Sequence, residues 1–277
     1  MSYEYDDQGC LIRMLVRTLS GQRRERRYAW NAEDQLVRID TPRRGSWTYT
    51  YDPLGRRICK RRLGERDGRQ IAVEETVFVW DGTQLIEHYS ALADGSCRTL
   101  TWDWEPGTWT PLSRTERAWR PNQTADRTVI DERFYAIVTD LTDTPSELVT
   151  LDGRIAWSDH ADTWGRAIRG TGGRTRACPL GRPGQYHDDE SDLEYNYFRY
   201  YDPATGRYIS SDPLGLDGGP NPHSYVPNPL LWIDPLGLAK RQPGGWGGSH
   251  YSLRPSNWTD GSDTNSYERN HVPARAA

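Results

Sequence analysis

Apolar and polar residues alternate along most of this chain in short stretches, each interrupted by a small turn. In Tyr3-Glu4-Tyr5-Asp6-Asp7-Gln8-Gly9-Cys10-Leu11-Ile12-Arg13, two aromatic residues lead into Asp and Gly, after which the alternation resumes. The same order recurs from Tyr28 to Arg38, from Tyr49 to Ile58 and from Phe78 to Ile86. A period of two on both sides of an Asp/Gly turn predicts strand, tight turn, strand. Asp6, Asn31 and Asp52 lie 25 and then 21 residues apart, a spacing that fits stacked repeats rather than one globular core. Helical periodicity is nearly absent. The predicted fold class is therefore all-β, a run of antiparallel hairpins wound side by side.

Composition sharpens that picture. Twelve Trp and 16 Tyr stand against three Phe and two Met, so most large apolar side chains carry a polar handle suited to half-buried sheets. The 26 Gly and 18 Pro fit many tight turns, and 277 residues suffice for one large or two small domains. With 35 basic against 39 acidic residues, no strong field for nucleic acid or anionic membrane is expected. The run Arg23-Arg24-Glu25-Arg26-Arg27 reads as an exposed loop between strands. Cys10, Cys59, Cys97 and Cys178 are widely spaced and form no metal-ligand pattern, and disulfides stay open. Asp188-Asp189-Glu190 and Asp192 lack EF-hand spacing and read as a solvated turn, so neither metal nor cofactor is expected. The first residues contain no apolar signal core, and no run approaches a membrane span. A soluble chain without its own cleavable signal is expected.

The candidate chemistry lies in Asp-Pro-Leu-Gly-Leu, present at Asp212–Leu216 and again at Asp234–Leu238, 22 residues on. By itself Asp-Pro-Leu-Gly is a turn, with Pro213 and Gly215, or Pro235 and Gly237, at the turn positions. A third copy, Asp52-Pro53-Leu54-Gly55, stands where nothing suggests chemistry. Residue chemistry alone thus favours a structural turn. Between the close pair, Gly218-Gly219-Pro220 bends the chain and Leu230-Leu231-Trp232-Ile233 delivers the second Asp, so the two turns can face each other. Two adjacent carboxylates do not both ionise easily: one keeps a proton as acid while the other activates water. Apolar Trp232 and Ile233 would raise their shared pKa further. Arg207, five residues before Asp212, is the candidate to orient a carboxylate or the scissile carbonyl, with a surface ion pair as its alternative. His187 and His223 receive no role.

Further stretches carry a family resemblance: Tyr135 to Leu148, Gly184-Gln185-Tyr186-His187-Asp188, Tyr195-Asn196-Tyr197-Phe198-Arg199-Tyr200-Tyr201-Asp202-Pro203 and Gly206-Arg207-Tyr208-Ile209-Ser210. With the repeats, they make residues 1–238 similar to the Rhs (rearrangement hotspot)/YD-repeat family. The resemblance implies a curled, shell-like β-wall enclosing a C-terminal toxin. It also implies an aspartyl autoprotease, marked by Asp-Pro-x-Gly, 18 residues (here 216–233) and Asp-Pro-x-Gly-Leu. Asp212 and Asp234 would be catalytic, and the cut would fall between Leu238 and Ala239.

The expected organisation is YD repeats over 1–134, the Rhs repeat-associated core over 135–238, and a linker with a truncated, toxin-position tail over 239–277. Being shorter than a full shell, the chain is expected to be a C-terminal shell piece or an orphan remnant. Implied partners are its own C-terminal segment as cargo, and a cognate immunity protein or secretion adaptor. The implied location is the producing bacterium's cytoplasm, with signal-peptide-independent export such as type VI secretion. Two other readings stay open. One is a non-catalytic encapsulation or binding module; the other is a remnant whose polar tail, with Glu268 and His271, is a truncated effector.

Overall fold

The computed structural model describes residues 1–17, 20–91, 95–121, 127–168 and 177–242, with the side chains of 120–121 and 127–130 left aside. Two antiparallel sheets account for its strands. The larger begins with β1 (Ser2–Tyr5), β2 (Leu11–Arg17), β3 (Arg23–Trp30), β4 (Leu36–Thr41), β5 (Gly45–Tyr51) and β6 (Arg57–Arg66). It continues through β7 (Arg69–Asp81), β8 (Gln84–Ala91), β9 (Cys97–Trp104), β10 (Pro111–Pro121), β11 (Arg127–Thr139), β12 (Pro145–Thr150) and β13 (Ile155–Ser158). Each strand pairs with the next in sequence, which makes an open 13-stranded meander. The smaller sheet is β14 (Tyr186–Asp188), β15 (Leu193–Asn196), β16 (Arg199–Asp202) and β17 (Arg207–Tyr208). β11 runs through residues 134 and 135, so the repeat sheet continues into the segment that the sequence reading assigns to the core.

The repeat has a local cause. In five of the turns the Oδ1 of the Asp or Asn accepts the amides two and four residues ahead. Asp6 takes Gln8 N at 3.1 Å and Cys10 N at 2.8 Å, and Asp52 takes Leu54 N and Arg56 N, both at 3.0 Å. Asn31, Asp140 and Asp162 repeat the pattern. Such Asx turns favour Asp and Asn because a short side-chain carbonyl mimics the backbone. The aromatic residue just before the turn reaches back to the preceding hairpin. Trp30 Nε1 donates to Leu11 O at 2.9 Å, Trp80 Nε1 to Arg57 O at 2.9 Å, Trp104 Nε1 to Leu85 O at 3.0 Å, and the Tyr51 hydroxyl to Leu36 O at 2.7 Å. Phe has no such donor, which explains its scarcity here. Register shifts recur at these aromatics (Glu4/Tyr5, Ala29/Trp30, Thr50/Tyr51, Val79/Trp80). A bulge in each hairpin bends and twists its strand, so their repetition curls the sheet.

One face of the meander, with Leu11, Leu36, Ile39, Phe78, Leu100 and Leu148, packs against Leu180, Tyr186, Leu193, Tyr195, Tyr200 and Ile209 of the smaller sheet and its flanks. Two sequence expectations are corrected here. Arg23–Arg27 is not a loop but lies in β3, where Arg26 binds the Ser191 carbonyl and the Asp192 carboxylate. Nor is Asp188-Asp189-Glu190 a solvated turn: Asp188 is fully buried and Glu190 nearly so. Arg57 pairs with both oxygens of Asp188, and Lys60 bridges Asp188 at 3.0 Å and Glu190 at 2.9 Å. The Arg57 guanidinium also lies 4.3 Å from the Tyr195 ring centre. Buried cations of β6 need counter-ions, and a turn some 130 residues later in the chain supplies them. No disulfide joins any of the four cysteines.

Candidate active site

The three Asp-Pro-Leu-Gly copies make similar turns, and their outer carboxylate oxygens separate them. At Asp52 the second oxygen accepts Arg56 Nε at 2.7 Å within its own turn. At Asp212, Oδ1 accepts Leu214 N at 2.9 Å; at Asp234, Oδ1 accepts Leu238 N at 2.8 Å. Their Oδ2 atoms both face a single nitrogen, Arg199 Nη2, at 3.0 Å and 3.4 Å. The two turns thus meet across one guanidinium. Asp234 is fully buried, Asp212 is 7% exposed, and the Arg199 side chain is shut away from water.

Strands β16 and β17 position the supporting groups. Arg199 opens β16; its Nε donates to Gly237 O and its Nη1 to Pro222 O at 3.1 Å. Its guanidinium lies over the Tyr208 ring, 3.7 Å from the centre. The Tyr208 hydroxyl donates to Asp234 Oδ2 at 2.8 Å. Asn196, at the end of β15, donates from Nδ2 to Tyr208 Oη at 2.8 Å and to Asp234 O at 2.9 Å. Successive residues of a strand face opposite sides. Tyr208 therefore points inward, while its neighbour Arg207 is exposed. Among the described residues Arg207 makes no ion pair with either aspartate; the cation that meets both is Arg199.

The segment after Asp234 is closely held. Gly237 has a positive φ of 68°, and a Cβ there would lie 2.6 Å from Asn196 O. Gly184, at φ 81°, packs so closely that a Cβ would lie 1.8 Å from Pro235 O. Leu238 is buried, and beyond it Arg241 bridges back to Ile233 through N–O distances of 2.7 and 2.8 Å. The Leu238–Ala239 bond is thus anchored on both sides. Lys240 Nζ donates to Ser224 Oγ at 2.6 Å.

Electrostatics distinguish the groups. Burial pushes the Asp212 carboxyl above the usual range; Arg199 and the Leu214 amide pull it back, and the Asp234 charge adds to the rise. Burial also lowers the Lys240 ammonium, and Arg199 adds to that fall. The Tyr208 phenol is held well above its ordinary value, first by burial and then by Asp234. Elsewhere, His187 Nδ1 lies 3.0 Å from Glu194, and the His223 ring sits tilted against Tyr5, with ring centres 5.6 Å apart. The tail expectations, including Glu268 and His271, lie outside the described residues.

Sequence reasoning thus missed Arg199, Tyr208 and Asn196. Arg199 is the sole cation in the aromatic run Tyr195–Tyr201, and that isolation was the available signal.

The RHS Repeat model matches residues 30–70, the hairpins that carry the Asn31 and Asp52 turns. Double-stranded DNA deaminase toxin A of Burkholderia cenocepacia is 34% identical over 252 residues, covering 86% of this chain. The probable deoxyribonuclease RhsA of Dickeya dadantii is 35% identical over 241 residues, again covering 86%. The chain belongs to the Rhs/YD-repeat family. It spans only 17% and 15% of the length of those two relatives. This Rhs chain also shares its fold with the TcdB2–TccC3–TEV crystal structure, at a TM-score of 0.56 and 17% identity over 86% of this chain and 13% of that one. Among the described residues no helix is long and apolar enough to cross a membrane.

Proposed function

We propose that this chain is a C-terminal wall section of an Rhs-type polymorphic toxin, and that it cuts its own Leu238–Ala239 bond through Asp212 and Asp234. One observation carries the reading. The outer oxygens of two aspartates face one buried arginine, and one of the two also holds the amide of Leu238. Water attacks the Leu238 carbonyl carbon and gives a proton to one carboxylate; the other carboxyl protonates the Ala239 nitrogen as the C–N bond breaks. The products are a Leu238 carboxylate and an Ala239 amine. Asp212, with its raised pKa, suits the acid. Asp234, which accepts from Leu238 N and Tyr208, suits the carboxylate. Arg199 offsets the negative charge of the pair.

In this reading the curled meander is part of a shell, the segment after Leu238 is its cargo, and an immunity protein protects the producer. Assembly is in the producer's cytoplasm, with export that needs no signal peptide, type VI secretion being one such route. The relatives named as a DNA deaminase toxin and a deoxyribonuclease support a toxin context. Intact-mass measurement of the purified chain tests the cleavage. Wild type releases the 39 residues that follow Leu238, while Asp234→Asn and Asp212→Asn stay whole. A wild-type chain that stays whole at every pH overturns the reading.

A second reading has its own support, since Asp6, Asp52, Asp140 and Asp162 use the same Oδ1 pattern purely to make turns. On that reading the chain is a non-catalytic encapsulation module, and Asp212→Asn changes stability but leaves the mass unaltered.

A further inference from the structure

We propose that Tyr208 is a positioning residue that keeps Asp234 as the carboxylate member of the pair, leaving the proton to Asp212. The proposal rests on the self-cleavage reading. A tyrosine hydroxyl has one proton to donate, and here its direction is fixed from both sides. Asn196 Nδ2 also binds Asp234 O, a carbonyl that only accepts, so the amide nitrogen and not the oxygen faces the phenol. Asn196 therefore donates to Tyr208 Oη, which turns the phenol's own proton onto Asp234 Oδ2 at 2.8 Å. The Arg199 guanidinium lies over the ring and holds its plane.

Donors meet Asp234 at both oxygens: Leu238 N on Oδ1, and Tyr208 with Arg199 on Oδ2. Hydrogen bonds to the charged form favour that form. Asp212 has one amide on Oδ1 and shares Arg199 on Oδ2, with no phenol. The two turns are alike in sequence, and Tyr208 is what makes their aspartates unequal. Tyr208 keeps its proton because burial and the Asp234 charge both raise its pKa. The other charged or titratable groups that act on this pair are Tyr225, Lys240 and Arg241, beside Arg199.

Release of residues 239–277 from freshly refolded full chain, followed by intact mass across pH, tests the assignment. Tyr208→Phe is expected to slow release about 10- to 100-fold, the effect of one hydrogen bond to a charged group. It should also move the acid limb of the rate profile to higher pH, because one of the donors that favour the charged form of the pair is then lost. Tyr201→Phe removes the hydroxyl of another buried tyrosine, bonded to Trp164 O at 2.9 Å, and should leave rate and profile as in wild type. Should Tyr208→Phe fail to refold, Asn196→Ala, which frees the phenol to turn, carries the same expectation for the acid limb. Wild type that cuts beside a Tyr208→Phe chain of equal rate and profile overturns the tyrosine's role alone. Wild type that stays whole overturns the cleavage reading and this one together.

Discussion

At the scale of single residues, an Asp in this chain is defined by what its second oxygen meets. The first oxygen makes a turn in every copy, at Asp52 as at Asp212 and Asp234. Only the last two place Oδ2 on a shared buried cation. Arg199 and Arg207 make the matching contrast among arginines. Arg199→Lys is expected to abolish release of the C-terminal segment, because an ammonium cannot serve Asp212, Asp234, Gly237 and Pro222 together as the fork does. Arg207→Ala should leave release intact and change stability by less than about 0.5 kcal/mol, as for an exposed residue. Release measured by mass, with urea titration beside it, checks both. Equal loss from the two variants would return Arg207 to the site. Sequence spacing favoured Arg207 because it lies nearer to Asp212 along the chain. The strand alternation of β17 turns it outward.

At the scale of elements, the YD hairpin is held by two devices, the Asx turn and the aromatic that ties it to the hairpin before. Both were legible, since the Asp/Asn, the Gly and the preceding Trp or Tyr recur in the sequence. The partner of the aromatic was not, because its contact reaches 15 to 23 residues back. Tyr51→Phe keeps the ring and removes the donor to Leu36 O. It is expected to cost roughly 1 kcal/mol, the net value of a half-buried hydrogen bond, read from the shift in the urea midpoint. No loss would make the aromatic's role one of packing alone. The basic run of β3 shows where pattern reading fails. Consecutive arginines look solvated, yet antiparallel pairing sets Arg13 against Arg27 and Glu25 against Leu15, and Glu25 takes Arg13 at 3.2 Å.

At the scale of the whole molecule, the meander and the smaller sheet are joined by buried polar groups as well as by apolar ones. His88 on β8 binds the Tyr186 hydroxyl of β14 at 2.8 Å, and burial with nearby Lys60 lowers its pKa to about 3. The folded chain thus keeps His88 neutral between that value and the ordinary 6.5, while the unfolded chain takes up a proton. Stability from this residue is complete above pH 6.5 and falls as the pH drops toward 3. His88→Gln should flatten the acid side of the stability curve relative to wild type, by a difference of roughly 3 kcal/mol at pH 4. Urea titrations from pH 7 to pH 4 measure it. Parallel curves for the two proteins would mean that His88 is not kept neutral by the fold.

What the sequence by itself determined was local. Period-two alternation, Asp/Gly turns and donor-bearing aromatics specify hairpins of one kind, and their repetition specifies an all-β stack. The duplicated Asp-Pro-Leu-Gly-Leu also identified the two aspartates that come together. Only the tertiary structure decided which side chains meet at long range. It set Arg57 and Lys60 on the turn at Asp188, and Arg199 between Asp212 and Asp234. The physical reason is that strand periodicity states which face a residue occupies, whereas a buried charge is matched only when two faces pack.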